Sequence, residues 1–312
     1  MKRQLIAMGV SLLVFANSAA LAQDTKDVDN FDVYIGEKAP EFADVNALVD
    51  KFKAGLQAGD KGAVATLLGL DPKVVNDSKD IADSFPEIQA QAAQSVLVQE
   101  AAPDRRILVL GDLAWPFPFP IVNEAGKWSF DTEAGLEEVV NRRIGENELK
   151  AIAVARAYVD AQETYRKTDW DEDGVLEYAQ NLVSTPETYD GLYWPSGDGV
   201  PESPAGPFVD TSELQTPEDG YFGYRYRILK SQGDNIAGGA YDYVINGNMI
   251  AGFALVATPA RYDRTGVMTF VVNQYGTVYQ KDLGPDSSKV AADMKSFNPD
   301  DSWDVVEEPG DD

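Results

Sequence analysis

The stretch NELKAIAVARAYVDAQETYRKTDWDEDGVLEYAQ, residues 147–180, decides the fold. Its first part carries Leu149, Ile152, Ala155, Tyr158, Val159, Gln162 and Tyr165 on or near one stripe, which predicts a long helix over residues 147–168. The helix has no room to continue. Three aspartates at alternate positions and a glycine follow it directly, and that pattern makes a tight polar loop.

Beyond the loop the period of the sequence changes. Residues 184–220 are rich in Pro, Gly and acidic side chains and read as a long surface loop. Residues 221–229, 240–245, 249–258, 267–273 and 277–281 then read as strands. Turn signals separate them at Gln232-Gly233-Asp234, Asn246-Gly247, Arg264-Thr265-Gly266 and Tyr275-Gly276. Asp286 caps a last helix to about Phe297, and an acidic tail closes the chain at residues 306–312.

Before the long helix, Val45, Leu48, Val49, Phe52 and Leu56 recur at helical spacing, and Gly59-Asp60 separates them from a second helix at residues 63–68. Residues 105–110 read as a strand with a turn at Gly111-Asp112. In residues 115–121, WPFPFPI, aromatic and apolar side chains share one face of an extended chain while prolines share the other. Proline has no N–H for a ladder, so this is an edge strand or a polyproline-like segment. It forms either an aromatic ligand groove or a hairpin with residues 127–130 that packs on the helices. Asp131-Thr132 caps a helix that Gly145 ends, with Arg142 and Arg143 in its last turn, where cations favour the helix dipole.

Helices grouped around antiparallel strands give an α+β protein. It has N-terminal helices with a β-hairpin or meander, then a long helix, a long loop and a C-terminal antiparallel meander. The expected boundaries are a signal peptide at 1–22, a flexible leader at 23–45, an N-terminal α+β domain at 46–145 and a C-terminal α+β domain at 146–305.

The N-terminus reads as a cleavable secretory signal. Lys2 and Arg3 precede an apolar run at residues 5–15, and Ala20-Leu21-Ala22 offers the small-x-small pattern cut by signal peptidase, which leaves Gln23 first. The run is too short for a membrane span, which needs about twenty apolar residues. With no cysteine there is no lipid anchor at the cleavage point. The expected location is therefore periplasmic or secreted.

Fifty-two acidic against 26 basic residues give a formal charge of −26, and loss of Lys2 and Arg3 with the signal makes it more negative by two. Such a surface repels nucleic acid and anionic lipid. There is no His and no Cys, so Ser-His-Asp and Cys-His nucleophiles, imidazole acid–base chemistry and His-ligated zinc are all excluded. Catalysis, if any, would rest on carboxylates, Lys, Tyr, Arg or a metal on oxygen ligands.

The specific constellation is the loop that follows the long helix. Numbered as a calcium loop, Asp169, Asp171 and Asp173 occupy positions 1, 3 and 5, and Gly174 allows the sharp turn at position 6. The Val175 carbonyl is the expected seventh-position ligand, Leu176 the apolar eighth and Glu177 the ninth. Gln180 stands where a bidentate Glu is expected, so one charge and one oxygen are missing. The loop is either a weak calcium site with a structural role or an acidic helix-ending turn without an ion. Tyr193 and Trp194 lie in the long loop as candidate ligand-binding aromatics, either a sugar platform or a plug over the core.

With these segments named, the chain resembles the bacterial family catalogued as domain of unknown function 2950. The carrying runs are WPFPFP (115–120), WSFD (128–131), NRRIG (141–145), YVDAQ (158–162), DWDEDGVLEYA (169–179), DGLYWP (190–195), GAYDYVIN (239–246), GFALVA (252–257) and residues 266–285. The resemblance implies an exported bacterial envelope protein and transfers no activity. The part after Gly145 is also similar, more weakly, to the soluble part of certain pilin-like proteins. That likeness rests on Ala161-Gln162-x-x-Tyr165, Ala257-Thr258-Pro259-Ala260 and Phe270-Val271-Val272-x-x-x-Gly276, without the apolar half-helix that filament assembly requires.

Two functions fit. One is a non-enzymatic envelope module that binds a protein partner or a glycan and has a calcium-stabilised loop. The other is a carboxylate-dependent enzyme acting on a glycan, which would need converging carboxyls at a suitable separation.

Overall fold

In the N-terminal unit, short polar residues start each helix because their side chains satisfy N–H groups that have no intrahelical partner. The computed structural model describes residues 31–213 and 219–307, and the chain divides into two units at Arg143/Ile144. Asp44, Asp60, Asp71 and Ser78 cap α1 (Val45–Ala58), α2 (Lys61–Leu67), α3 (Pro72–Asp77) and α4 (Lys79–Gln94). An antiparallel sheet follows, formed by β1 (Val96–Ala102), β2 (Arg105–Leu110), β3 (Trp115–Pro116), β4 (Ile121–Glu124) and β5 (Lys127–Phe130). Its order is β1-β2-β4-β5, with β3 also on β2.

The periodic face of α1 fills the core between helices and sheet. Leu48 and Phe52 are fully buried and join Leu108, Leu110, Phe117, Phe119, Ile121 and Phe130. Phe52 meets Phe117 and Phe130 with ring centroids 5.0 and 5.6 Å apart. The WPFPFPI segment is thus core rather than groove. Its prolines do not form an outward face, because Pro118 and Pro120 are buried as well.

The expected signal at 1–22 lies outside the described residues. The leader does not continue loosely to residue 45. From Phe31 it forms a 3-10 turn (Phe31–Tyr34) and then joins the unit. The Gly36 N–H donates to the Gly69 carbonyl at 2.9 Å, and Phe42 and Trp128 exchange backbone hydrogen bonds at 2.8 and 2.7 Å.

Gly145 does not end a helix. α5 runs unbroken over Thr132–Tyr165, so the two expected helices are one. Glycine inside a helix costs about 1 kcal/mol relative to alanine, less than one well-buried side chain contributes. Ile144 and Ala151 on either side are both buried, and that burial outweighs the glycine.

In the C-terminal unit, the strands are β6 (Asn181–Val183), β7 (Gly191–Tyr193), β8 (Tyr224–Leu229), β9 (Ser231–Gln232), β10 (Tyr241–Asp242), β11 (Val244–Ile245), β12 (Asn248–Met249), β13 (Ala254–Pro259), β14 (Met268–Asn273) and β15 (Val278–Asp282). Helix α6 (Ser287–Asp293) and β16 (Asp304–Val305) complete it. The main sheet has the order β16-β15-β14-β13-β8, antiparallel throughout. Every residue of β13 is buried, which explains why its sequence is apolar from Ala254 to Ala257 rather than alternating. Ala151, Ala155, Tyr158, Ala161 and Tyr165 of α5 belong to this core, and the Tyr158 hydroxyl donates to the Ala254 carbonyl at 3.2 Å.

The meander differs from expectation at residues 240–245. β8 pairs directly with β13, and the chain between them makes an excursion in which β10 pairs with β9 and β11 with β12. The long loop is also more structured than its composition indicates. β7 lies parallel to β6, and Leu192 within it and Trp194 just after it are buried. At the end of the chain, Val306 is not part of a free tail, because its N–H donates to the Val278 carbonyl at 2.9 Å.

Candidate metal centre

The Asp169 loop is held at both ends by groups that the loop sequence itself does not contain. At its start, the Trp170 indole donates to the Tyr165 carbonyl at 3.0 Å and so fixes the chain as it leaves α5. At its end, Tyr178 bridges Met249 antiparallel, and the Tyr178 N–H donates to the Met249 carbonyl at 2.8 Å. Within the loop, Gly174 N–H donates to Asp169 Oδ2 at 2.9 Å and Val175 N–H to Asp173 Oδ1 at 2.8 Å. Gly174 has φ +85°, a conformation that favours glycine and gives the loop its sharp turn.

These contacts bring Asp169, Asp171 and Asp173 together. One carboxylate oxygen from each lies within 4.8 Å of the other two. At that separation each pair of charges repels by about 1 kcal/mol even in water-like surroundings, and more where solvent is reduced. Asp171 and Asp173 are exposed, whereas Asp169 is partly buried. Asp169 Oδ1 is shut away from solvent and has no hydrogen-bond partner. A carboxylate oxygen left so has an uncompensated desolvation cost, which an ion at the centre of the trio would offset. The donor set is all oxygen, as hard divalent cations require. The residues present therefore fit such a cation.

Glu177 lies outside the convergent trio. Its Oε2 accepts the Met249 N–H at 2.9 Å. Burial raises its pKa above the usual carboxylate range, and the nearby Asp171 and Asp173 charges push the same way. Gln180, at the expected twelfth position, is committed elsewhere. Its amide donates to the Gly247 carbonyl at 2.7 Å and accepts from Lys230 at 3.0 Å. Leu176, expected as the apolar eighth residue, is 53% exposed. The loop is thus a three-aspartate cluster tied to a hairpin and not a complete twelve-residue calcium loop.

Tyr193 is half-buried, and Trp194 is only 5% exposed. Of the two readings of Trp194, the plug over the core holds and the sugar platform does not. Its indole donates to the Pro201 carbonyl at 2.7 Å, and its ring packs against Trp170 and Tyr189 at centroid distances of 5.0 and 4.8 Å. It closes the core under the loop.

Asn248 was not legible as a site residue. Its amide donates to Asp173 Oδ2 at 2.7 Å across a long sequence gap. The only local signal was the Asn246-Gly247 turn, which places Asn248 at the start of the returning strand β12.

Fold and site together define a two-unit α+β protein whose second unit carries an acidic loop able to hold a metal ion. The family model described as protein of unknown function (DUF2950) matches residues 39–306, and the chain belongs to that family. Comparison with curated proteins and with solved structures finds no match. Among the described residues, no helix is long and apolar enough to cross a membrane.

Proposed function

We propose that the protein is an exported, non-catalytic envelope module whose C-terminal unit is stabilised by a calcium ion held by Asp169, Asp171 and Asp173. Two observations carry this reading: one carboxylate oxygen of each aspartate lies within 4.8 Å of the others, and Asp169 Oδ1 is shut from solvent without a hydrogen-bond partner. The ion would cancel the mutual repulsion of the trio. It would also tie the end of α5 to the β11–β12 hairpin, because Asp173 is already bonded to Asn248. The Val175 carbonyl and Glu177 are the further oxygen donors at the seventh and ninth positions of the loop. The signal-like N-terminus supports delivery to a compartment where calcium is plentiful, so a site of about 10⁻⁴–10⁻³ M affinity is sufficient there.

The role is structural because the ion's partners are a helix end and a hairpin. The test is thermal unfolding of chelator-treated protein with and without calcium, with magnesium as the comparison ion. At ten times Kd, calcium is expected to stabilise the unit that binds it by about 1.4 kcal/mol, a shift of a few degrees. An unchanged transition in calcium contradicts the reading.

A further inference from the structure

The metal reading leaves most of the lining of the cleft beside the acidic loop unused. It encloses about 640 Å³, within the ~300–1,000 Å³ of ordinary ligand sites. Trp170 and Tyr189 form its aromatic side, with ring centroids 5.3 Å apart. Both rings rest on the buried Trp194, so they are braced from behind while remaining partly open to the cleft.

The polar side is fixed as well. Asp190 accepts from the Thr185 N–H and the Thr188 hydroxyl, each at 2.8 Å, and this holds the 185–190 turn in place. Asn181 donates to Asp190 Oδ2 at 3.0 Å, which orients its amide at the cleft wall. Glu187 is exposed on the same wall. The carboxylates of Asp171, Glu177, Glu187 and Asp190 face one ammonium, Lys230, whose Nζ already donates to Gln180.

This lining selects by chemistry. Anions are repelled by the carboxylate majority. A purely apolar ligand would strip water from those carboxylates and from Asn181 without replacing the hydrogen bonds. A polyhydroxylated molecule satisfies both sides, because its C–H face packs on the rings and its hydroxyls donate to carboxylate and amide oxygens.

We propose that this cleft binds a neutral saccharide, stacked on Trp170 and Tyr189 and hydrogen-bonded by Asn181 and Glu187. The cleft does not need the calcium ion, although Asp171 lines it and also belongs to the metal trio.

The experiment is calorimetric titration of the full mature protein with chitotetraose, cellotetraose and maltotetraose, each in calcium and in chelator. At least one is expected to bind saturably with a Kd of about 1 mM or tighter. Glu187→Gln and Asn181→Ala are each expected to weaken that binding by about five- to tenfold, the loss of one hydrogen bond, with unfolding unchanged in Glu187→Gln and lowered in Asn181→Ala only by about the loss of its exposed contact with Asp190. Both residues are exposed, so neither change opens the core. No saturable heat with any tetrasaccharide in either buffer overturns the proposal, as does parent-like binding by both variants. Heat with a diamine probe alone assigns the cleft to cations and also overturns it. Calcium titrated without sugar keeps the two readings apart, since either can fail while the other stands.

Discussion

Gln162 and Ala179 hydrogen-bond to each other in both directions: the Ala179 N–H donates to Gln162 Oε1 at 2.8 Å, and Gln162 Nε2 donates to the Ala179 carbonyl at 2.9 Å. Gln162 is fully buried on α5, and its amide also donates to the Tyr158 hydroxyl at 3.0 Å. The pair closes the segment containing the aspartate loop much as a strand pairing would. Gln162→Leu removes the partner of two buried backbone groups at once. It is expected to destabilise the C-terminal unit by about 2–4 kcal/mol, measured by urea unfolding, and to weaken calcium binding in parallel. An unchanged midpoint would show that water or a local shift replaces the clamp.

Asn248 makes the corresponding contact from the hairpin. Asn248→Ala deletes the donor to Asp173 Oδ2, an exposed contact whose loss alone costs about 0.5–1.5 kcal/mol. The expected signature is a weaker calcium site, read by titration, together with a loss of calcium-free stability no larger than that hydrogen bond, read by unfolding. Equal calcium affinity in variant and parent would separate the hairpin from the metal centre.

Trp194 distinguishes packing from recognition. Trp194→Ala leaves a cavity against Trp170 and Tyr189 and orphans the Pro201 carbonyl, so the expected cost is about 3–5 kcal/mol. Full stability in denaturant with loss of a ligand would instead identify an exposed platform.

The pH dependence of the N-terminal unit has a traceable contributor in Glu41. Hydrogen bonds from Lys38 and Lys127, at 2.8 and 2.9 Å, hold its pKa at about 2, below the ordinary 4.5. The folded state therefore binds the proton less readily than the unfolded chain does. The stabilisation is present above about pH 4.5 and is lost as pH falls towards 2. Glu41→Gln should narrow its stability gap from the parent over that window, and the gap should be small throughout because the pair is solvent-screened. A gap that widens on acidification contradicts the assignment.

Two glycines in α5 carry opposite expectations. A Cβ on Gly135 would sit 2.0 Å from a ring carbon of Phe119, whereas one on Gly145 meets nothing within 4 Å. Gly135→Ala is expected to destabilise by about 1–3 kcal/mol through overpacking, and Gly145→Ala to stabilise by about 1 kcal/mol through helix propensity. Thermal unfolding of the two variants reads both signs.

The elements legible in the sequence were those whose own residues carried the signal. The α1 stripe from Leu48 to Leu56 and the β13 run each specify their structure locally. α4 was hidden by Pro86 at its centre, because a proline that removes a helical hydrogen bond argues against a helix until the burial of Ile81 and Phe85 is known. β1 was hidden because its residues are mostly exposed and do not alternate. The aspartate spacing was readable for the same reason as α1, since its ligands lie within one short loop. Asn248, the Gln162 clamp and the burial of Trp194 were not, because each depends on residues brought together by the sheet excursion or by the β6–β7 pairing.

Calorimetric titration of calcium into chelator-treated protein, repeated with Asp171→Ala, tests the central claim most directly. One saturable binding event in the parent and none in the variant is the predicted result. No heat in the parent, or equal heat in both proteins, would contradict calcium binding by the Asp169–Asp171–Asp173 trio.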